Sequence, residues 1–218
     1  MGASDTLVIH EIYRSIQGES TFAGLPCVFI RTTGCNLRCS WCDTPQAFYG
    51  GTRITRQDVL ARTLAFGTLL VEITGGEPLL QPGVFRLMSE LCDRDRTVLV
   101  ETSGETDVAG VDSRVHKIMD IKCPGSGESH RNRWDNLEHL TKKDEIKFVI
   151  SDRADYEWMR QVIEDRSVAK RTPNLLASTV FGKLAPRELV QWVLEDGLSV
   201  RVQLQVHKYI WTPDATGV

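Results

Sequence analysis

The stretch Cys35-Asn36-Leu37-Arg38-Cys39-Ser40-Trp41-Cys42, followed at once by Asp43 and Thr44, decides how the rest of the chain is read. Three cysteines fall within eight residues, so their thiolates can converge on one small object. No fourth cysteine or histidine lies close by to complete the closed tetrahedron of a structural zinc site. A plain electron-transfer cluster also uses four cysteines. Three thiolates with a vacant fourth position suit an iron–sulfur cluster with one open iron, where something else binds. Zinc remains an alternative, with Cys123 or a histidine as a distant fourth ligand.

On the amino-terminal side, Pro26-Cys27-Val28-Phe29-Ile30-Arg31 is a β-branched and aromatic run that predicts a buried strand, so the cysteines occupy the loop leaving it. Residues 7–13 form a short apolar segment, and a polar turn follows at 16–20. Further strands are expected at 69–74, 97–101, 117–121, 145–150, 175–180 and 200–206. A helix is expected from Thr55, with Asp58 forming a loose capping box, to a stop at Gly67. Pro82 opens another, with Val84, Phe85, Leu87, Met88 and Leu91 on one face. Two more are expected at 154–164 and 186–194, and a polar insertion at 125–143 has room for a short one. The link from Thr102 to His116 is too short for a full crossover helix. Strands alternating with helices predict an α/β fold with a parallel-stranded sheet, a partial TIM-like barrel with some helices shortened or missing. One domain is expected over residues 1–218.

The composition narrows the function. Hydrophobic content of 41% and charged content of 25% are ordinary for a globular protein, and a formal charge of −3 gives no support for a nucleic-acid or membrane-surface partner. No apolar run can span a bilayer and no apolar segment follows Met1, so a cytoplasmic protein is expected. Six cysteines, three of them crowded into one loop, argue for metal in a reducing compartment rather than a disulfide framework. Cys27, Cys92 and Cys123 sit in or beside apolar segments and read as buried small hydrophobes.

A second landmark, Thr74-Gly75-Gly76-Glu77-Pro78, ends the strand at 69–74; two glycines let backbone approach a ligand closely. With the cysteine spacing it resembles the radical S-adenosylmethionine superfamily. That resemblance implies a 4Fe–4S cluster on Cys35, Cys39 and Cys42, with S-adenosylmethionine chelating the open iron and cleaved to a 5′-deoxyadenosyl radical. It places Trp41, Cys42 and Asp43 beside the cofactor, and Gly75, Gly76 and Glu77 at its amino group. Strand-end residues Ser103, Asp120, Ile121, Lys122, Ser178, Thr179, Val180 and Phe181 are carried as further cofactor contacts.

Three features narrow the resemblance further. Ser15-Ile16-Gln17-Gly18-Glu19, Arg31 and Gln205-Val206-His207-Lys208, with Cys42-Asp43-Thr44, resemble the 7-carboxy-7-deazaguanine synthase family from about Ile9 to Tyr209. The family implies ring contraction of 6-carboxy-5,6,7,8-tetrahydropterin to 7-carboxy-7-deazaguanine with loss of ammonia, in deazapurine (queuosine-type) biosynthesis. The radical takes hydrogen from carbon 6 and the product radical takes one back. Magnesium is implied on the Thr44 hydroxyl, and an electron donor such as a flavodoxin or ferredoxin and a homodimer are expected. Ile16, Gln17, Gly18, Glu19, Arg31, Thr74 and His207 are the expected substrate contacts, His207 from an alternating strand and the 207–218 tail near them. Arg31 can pair with the substrate carboxylate as a fork. Ser20 stands where the family commonly has Gly, which bears on the local turn.

Two other functions fit parts of this pattern. A glycyl-radical-enzyme activase shares the cysteine spacing but needs a protein-docking surface rather than a pterin pocket. A non-enzymatic metal-binding module needs only the cysteines.

Overall fold

The computed structural model describes residues 5–213 and 215–218. Its nine strands form one sheet: β1 (Thr6–Ile16), β2 (Pro26–Thr32), β3 (Thr52–Thr55), β4 (Leu70–Gly75), β5 (Thr97–Thr102), β6 (His116–Asp120), β7 (Glu145–Ile150), β8 (Asn174–Thr179) and β9 (Arg201–Gln203). The spatial order is β3-β1-β2-β4-β5-β6-β7-β8-β9. From β2 to β9 every pairing is parallel, while β1 runs antiparallel to both β2 and β3.

The α-helices follow the chemistry of their ends. In α1 (Arg56–Ala65) the Thr55 side chain accepts the Asp58 N–H at 3.0 Å and its hydroxyl donates to the Asp58 carboxylate at 2.6 Å. Pro82 opens α2 (Pro82–Cys92), and Asp152 caps α3 (Arg153–Asp165) by accepting from Asp155 N–H. Pro186 opens α4 (Pro186–Glu195). The link between β5 and β6 carries no helix, as its length requires. The insertion between β6 and β7 forms three short 3-10 turns, at Pro124–Ser126, Ser129–Arg131 and Trp134–His139.

Alternation along each strand sorts the side chains. One face of β2, β4 and β5 sends Val28, Ile30, Val71, Ile73, Val98 and Val100 into a core shared with α1 and α2. The same face of β6, β7 and β8 packs Met119, Ile146, Phe148 and Ala177 against α3 and α4. The opposite, inner face is apolar where the parallel strands begin, at Cys27, Phe29, Leu70, Leu99 and Ile118. Toward the strand ends it turns polar, through Arg31, Glu72, Thr74, Glu101, Ser103, Asp120, Lys122 and Lys147. Burial therefore holds the fold from outside and leaves the carboxyl ends of the strands for chemistry.

The structure extends one expectation and corrects another. Residues 7–13 lie in a long first strand that flanks the parallel sheet, a pairing that short apolar content alone does not reveal. The last strand stops at Gln203 instead of reaching 206, because the chain turns into a short helix, α5 (His207–Ile210).

Candidate active site

The cysteine loop is clamped from several sides. Gly34 N–H donates to Ala47 C=O at 2.8 Å, and Glu77 N–H donates to Gly34 C=O at 2.8 Å. Ser40 binds the Pro124–Ser126 turn, N–H to Ser126 C=O at 3.0 Å and hydroxyl to Gly125 C=O at 2.9 Å. Arg38 donates to the Cys35 and Leu37 carbonyls and stacks over Phe48 at 4.4 Å. The loop's position explains the double glycine of β4. A Cβ on Gly76 would come 2.3 Å from Gly34 O and 2.7 Å from Cys35 Cβ. Gly75 has φ 147°, and a Cβ there would meet the Thr32 backbone.

The three thiols fit an iron–sulfur cluster better than zinc. Cys35, Cys39 and Cys42 lie within electrostatic reach of one another, yet among the described residues no three His, Cys, Asp or Glu side chains gather tightly enough to hold a single ion. A cluster takes each thiolate on a different iron, so its ligands need not meet at a point. Cys123 is no fourth ligand: it is buried in the core beneath α3 with Tyr156 and Met159. Burial pushes the Cys39 thiol up to about 11, against the pull of Lys122, so metal binding must displace its proton.

Around this loop the expected cofactor residues divide. Lys122 Nζ bonds Asp120 Oδ2 at 2.6 Å, while Asp120 Oδ1 and Ser178 Oγ are buried without a hydrogen-bond partner among the described residues, two polar atoms suited to a bound polar group. Trp41 lies under Lys183, 5.4 Å from ring centroid to ammonium. Phe181 is exposed and meets Tyr209 edge-on at 5.8 Å. Ile121 packs in the helix-side core, and Thr179 follows the same strand alternation as Ala177, so neither side chain faces the site. Val180 bonds through its backbone to Ile150 C=O. Glu77 is fully buried and accepts from Thr102 Oγ1, Ser103 N–H, Ser103 Oγ and Leu79 N–H. That set ties the ends of β4 and β5 together through the Glu77 carboxylate.

The expected substrate residues come together, with other partners than the sequence suggested. Gln17 is buried; its Oε1 accepts Glu19 N–H at 2.8 Å and its Nε2 donates to Glu72, so the amide sets the turn. Glu19 pairs with Lys147 and accepts from Gln205 Nε2 at 3.1 Å. Ile16 ends β1, and Gly18 lies against His207, where a Cβ would come 2.4 Å from Nδ1. His207 thus opens α5 rather than sitting on a strand, and still reaches the Gln17–Glu19 turn. Arg31 bonds Glu11 at 2.8 Å and Tyr13 OH at 3.0 Å, so a substrate carboxylate would share or replace Glu11. Thr74 is buried on the inner face. Asp43 joins the loop to the carboxyl end, accepting from Lys208 and Gln205 at 3.2 Å each. Thr44 makes no side-chain cap on the following turn; its Oγ1 is 4.0 Å from Cys42 Sγ.

Ser20 occupies φ 62°, the left-handed region that favours glycine. Gln203 holds it there: Oε1 accepts Ser20 N–H at 3.0 Å and Nε2 donates to Ser20 C=O. This clamp, Glu72, Glu101 and Lys147 were missed from sequence. Single polar residues within apolar strands were the one signal available.

The inner face carries an unusual charge balance. Burial, reinforced by Glu101 and Glu19, holds the Glu72 carboxyl protonated far above the ordinary carboxylate range. Burial also opposes ionisation of Glu19, but Lys147 overcomes it and lowers the carboxyl below its usual range.

Comparison with known proteins agrees with this geometry. The model of the radical SAM superfamily matches residues 29–124, spanning the cysteine loop and the double glycine. The 7-carboxy-7-deazaguanine synthase of Koribacter versatilis is 48% identical over 225 residues, covering 96% of this chain and 99% of that protein. That of Chlorobaculum tepidum is 47% identical over 221 residues, covering 100% of both. The chain belongs to the 7-carboxy-7-deazaguanine synthase family. The crystal structure of QueE from Escherichia coli superposes with a TM-score of 0.76 at 22% identity, covering 93% of this chain and 95% of that one, so the partial-barrel fold is shared. Family membership implies a 4Fe–4S cluster and S-adenosylmethionine. Among the described residues no helix is long and apolar enough to cross a membrane.

Proposed function

We propose that this protein is a 7-carboxy-7-deazaguanine synthase, a carbon–nitrogen lyase that contracts the ring of 6-carboxy-5,6,7,8-tetrahydropterin and releases ammonia. The observation that carries the reading is the joining of the Gln17–Glu19 turn, His207 and the cysteine loop around one polar inner face, through Gly18 against His207 and Gln205 between Glu19 and Asp43. Cys35, Cys39 and Cys42 would hold the cluster. When bound, cluster and S-adenosylmethionine supply the one-electron chemistry that generates a deoxyadenosyl radical. Asp120, Lys122 and Ser178, with the backbone at Gly75 and Gly76, would bind S-adenosylmethionine; the unpaired Asp120 Oδ1 and Ser178 Oγ support this among the described residues.

The chain's own residues bind and orient. Glu19, kept ionised by Lys147, can accept from a pterin N–H edge. Arg31 can take the substrate carboxylate as a fork in place of Glu11. Thr74 and His207 add polar contacts, and Gln17 sets the turn that presents Glu19. The Thr44 hydroxyl is a hard oxygen that would serve as a protein ligand to magnesium, a hard cation. The same reading takes a flavodoxin or ferredoxin as electron donor, and a homodimer, single-domain and cytoplasmic.

Anaerobically reconstituted protein, given carboxytetrahydropterin, reductant, magnesium and S-adenosylmethionine, should form 7-carboxy-7-deazaguanine. Cofactor cleavage without that product overturns the reading.

A further inference from the structure

One ammonium serves two carboxylates on the inner face. Lys147 projects from the middle of β7, nearly fully buried, to Glu101 Oε1 on β5 at 2.7 Å and to Glu19 on the 17–25 loop. The other cations nearby have partners of their own: Lys122 holds Asp120, Arg31 holds Glu11, and Lys208 holds Asp43. Glu72, the third carboxyl facing this space from β4, keeps its proton and bonds Gln17. Asp43 and His207 at the rim also feel the Lys147 charge. Glu19 is the loop member of the pair and Glu101 the strand member, so the ammonium ties a loop carboxylate to a rigid frame.

We propose that Lys147 is a positioning residue for the substrate site, fixing Glu19 against Glu101 so that the two carboxylates present one preformed acceptor edge. This rests on the synthase reading above. Lys147 touches no reacting atom and acts through Glu19. Removing it leaves two buried carboxylates without a counter-ion, and the loop carboxylate turns away or takes up a proton.

The test uses reconstituted holoenzyme. Lys147→Met should raise KM for carboxytetrahydropterin roughly 30-fold with kcat changed far less, the weight expected when a buried ion pair loses one partner. The acid limb of kcat/KM should move to higher pH, because Glu19 then ionises later. In a Glu19→Gln background the same substitution should add little, since residues acting through one another are not additive. Cluster absorbance and substrate-free cleavage of S-adenosylmethionine report folding; if Lys147→Met loses the cluster, Lys147→Gln is read in the same way. An unchanged KM and pH profile, or an equal loss with and without Glu19, overturns the role of Lys147. If wild-type protein forms no carboxydeazaguanine, the synthase reading falls and this proposal falls with it. Wild-type conversion with an unaffected variant removes Lys147 alone.

Discussion

Gly76→Ala tests how the double glycine supports the cluster loop. The added methyl would lie 2.3 Å from Gly34 O, 2.7 Å from Cys35 Cβ and 2.7 Å from Gly34 C. A Cβ needs more than 3 Å from such atoms, and two of the three are backbone, so no side-chain rotation relieves the contact. The loop or the end of β4 must shift by about half an ångström or more, at a cost of roughly 1–3 kcal/mol for overpacking. The shift falls on the residue bearing the first cluster thiolate and on the Glu77 N–H to Gly34 C=O bond. Gly127→Ala is the matched control: φ is 80° there and nothing lies within 4 Å, so it meets only left-handed strain of about 1 kcal/mol. Both proteins would be reconstituted anaerobically and compared for iron and sulfide content, cluster absorbance and denaturant midpoint. Gly76→Ala should lose a large part of its cluster, and Gly127→Ala should keep it. Full iron and sulfide loading in Gly76→Ala, with wild-type cofactor cleavage, would refute the claim that the loop rests on Gly76.

Other substitutions probe the remaining parts. Thr44→Val should lower turnover about tenfold and raise the magnesium needed for half-maximal rate, leaving the cluster spectrum unchanged; an unaltered magnesium dependence counts against Thr44 as ligand. Gln203→Ala removes both bonds to the left-handed Ser20 backbone and should cost about 1–2 kcal/mol in denaturant unfolding while raising the substrate KM. Equal stability and KM would show that Ser20 needs no clamp. Glu72→Gln is read against pH. The folded Glu72 holds its proton above the unfolded value of about 4.3, so folded protein binds more protons than unfolded, and wild-type stability falls as pH rises from that value through the folded one. The variant lacks this loss, so its stability relative to wild type should grow with pH, by at most about 1.4 kcal/mol per unit. A constant difference across that range would place the proton elsewhere.

Much of this arrangement was legible from sequence because it is locally encoded. The helix of Thr55 and Asp58, the proline-initiated helices at Pro82 and Pro186, and all seven parallel strands, the last with its end misplaced, follow from caps, breakers and apolar runs a few residues long. The cysteine spacing and the double glycine are equally local, and the contact between them explains why the two motifs occur together. Tertiary pairing was harder to see. The first strand joins the sheet through antiparallel partners on both sides, and β9 ends early because the chain must bring His207 against Gly18. Partner choice was hidden for the same reason. Nothing near Glu77 in sequence points to Ser103, nothing near Arg31 points to Glu11 and Tyr13, and Lys147 sits 128 positions from Glu19. Ser20 shows the reverse: a side chain in a glycine-type conformation is tolerated because Gln203 is there to hold it.

The most direct measurement follows hydrogen from the substrate. Carboxytetrahydropterin carrying deuterium at carbon 6 would be incubated anaerobically with reconstituted protein, reductant, magnesium and limiting S-adenosylmethionine. The account predicts several equivalents of 7-carboxy-7-deazaguanine per S-adenosylmethionine, with deuterium carried from carbon 6 into the 5′ position of the recovered S-adenosylmethionine, and loss of product in Cys35→Ala. Stoichiometric 5′-deoxyadenosine without carboxydeazaguanine, or product formed without S-adenosylmethionine, would contradict it.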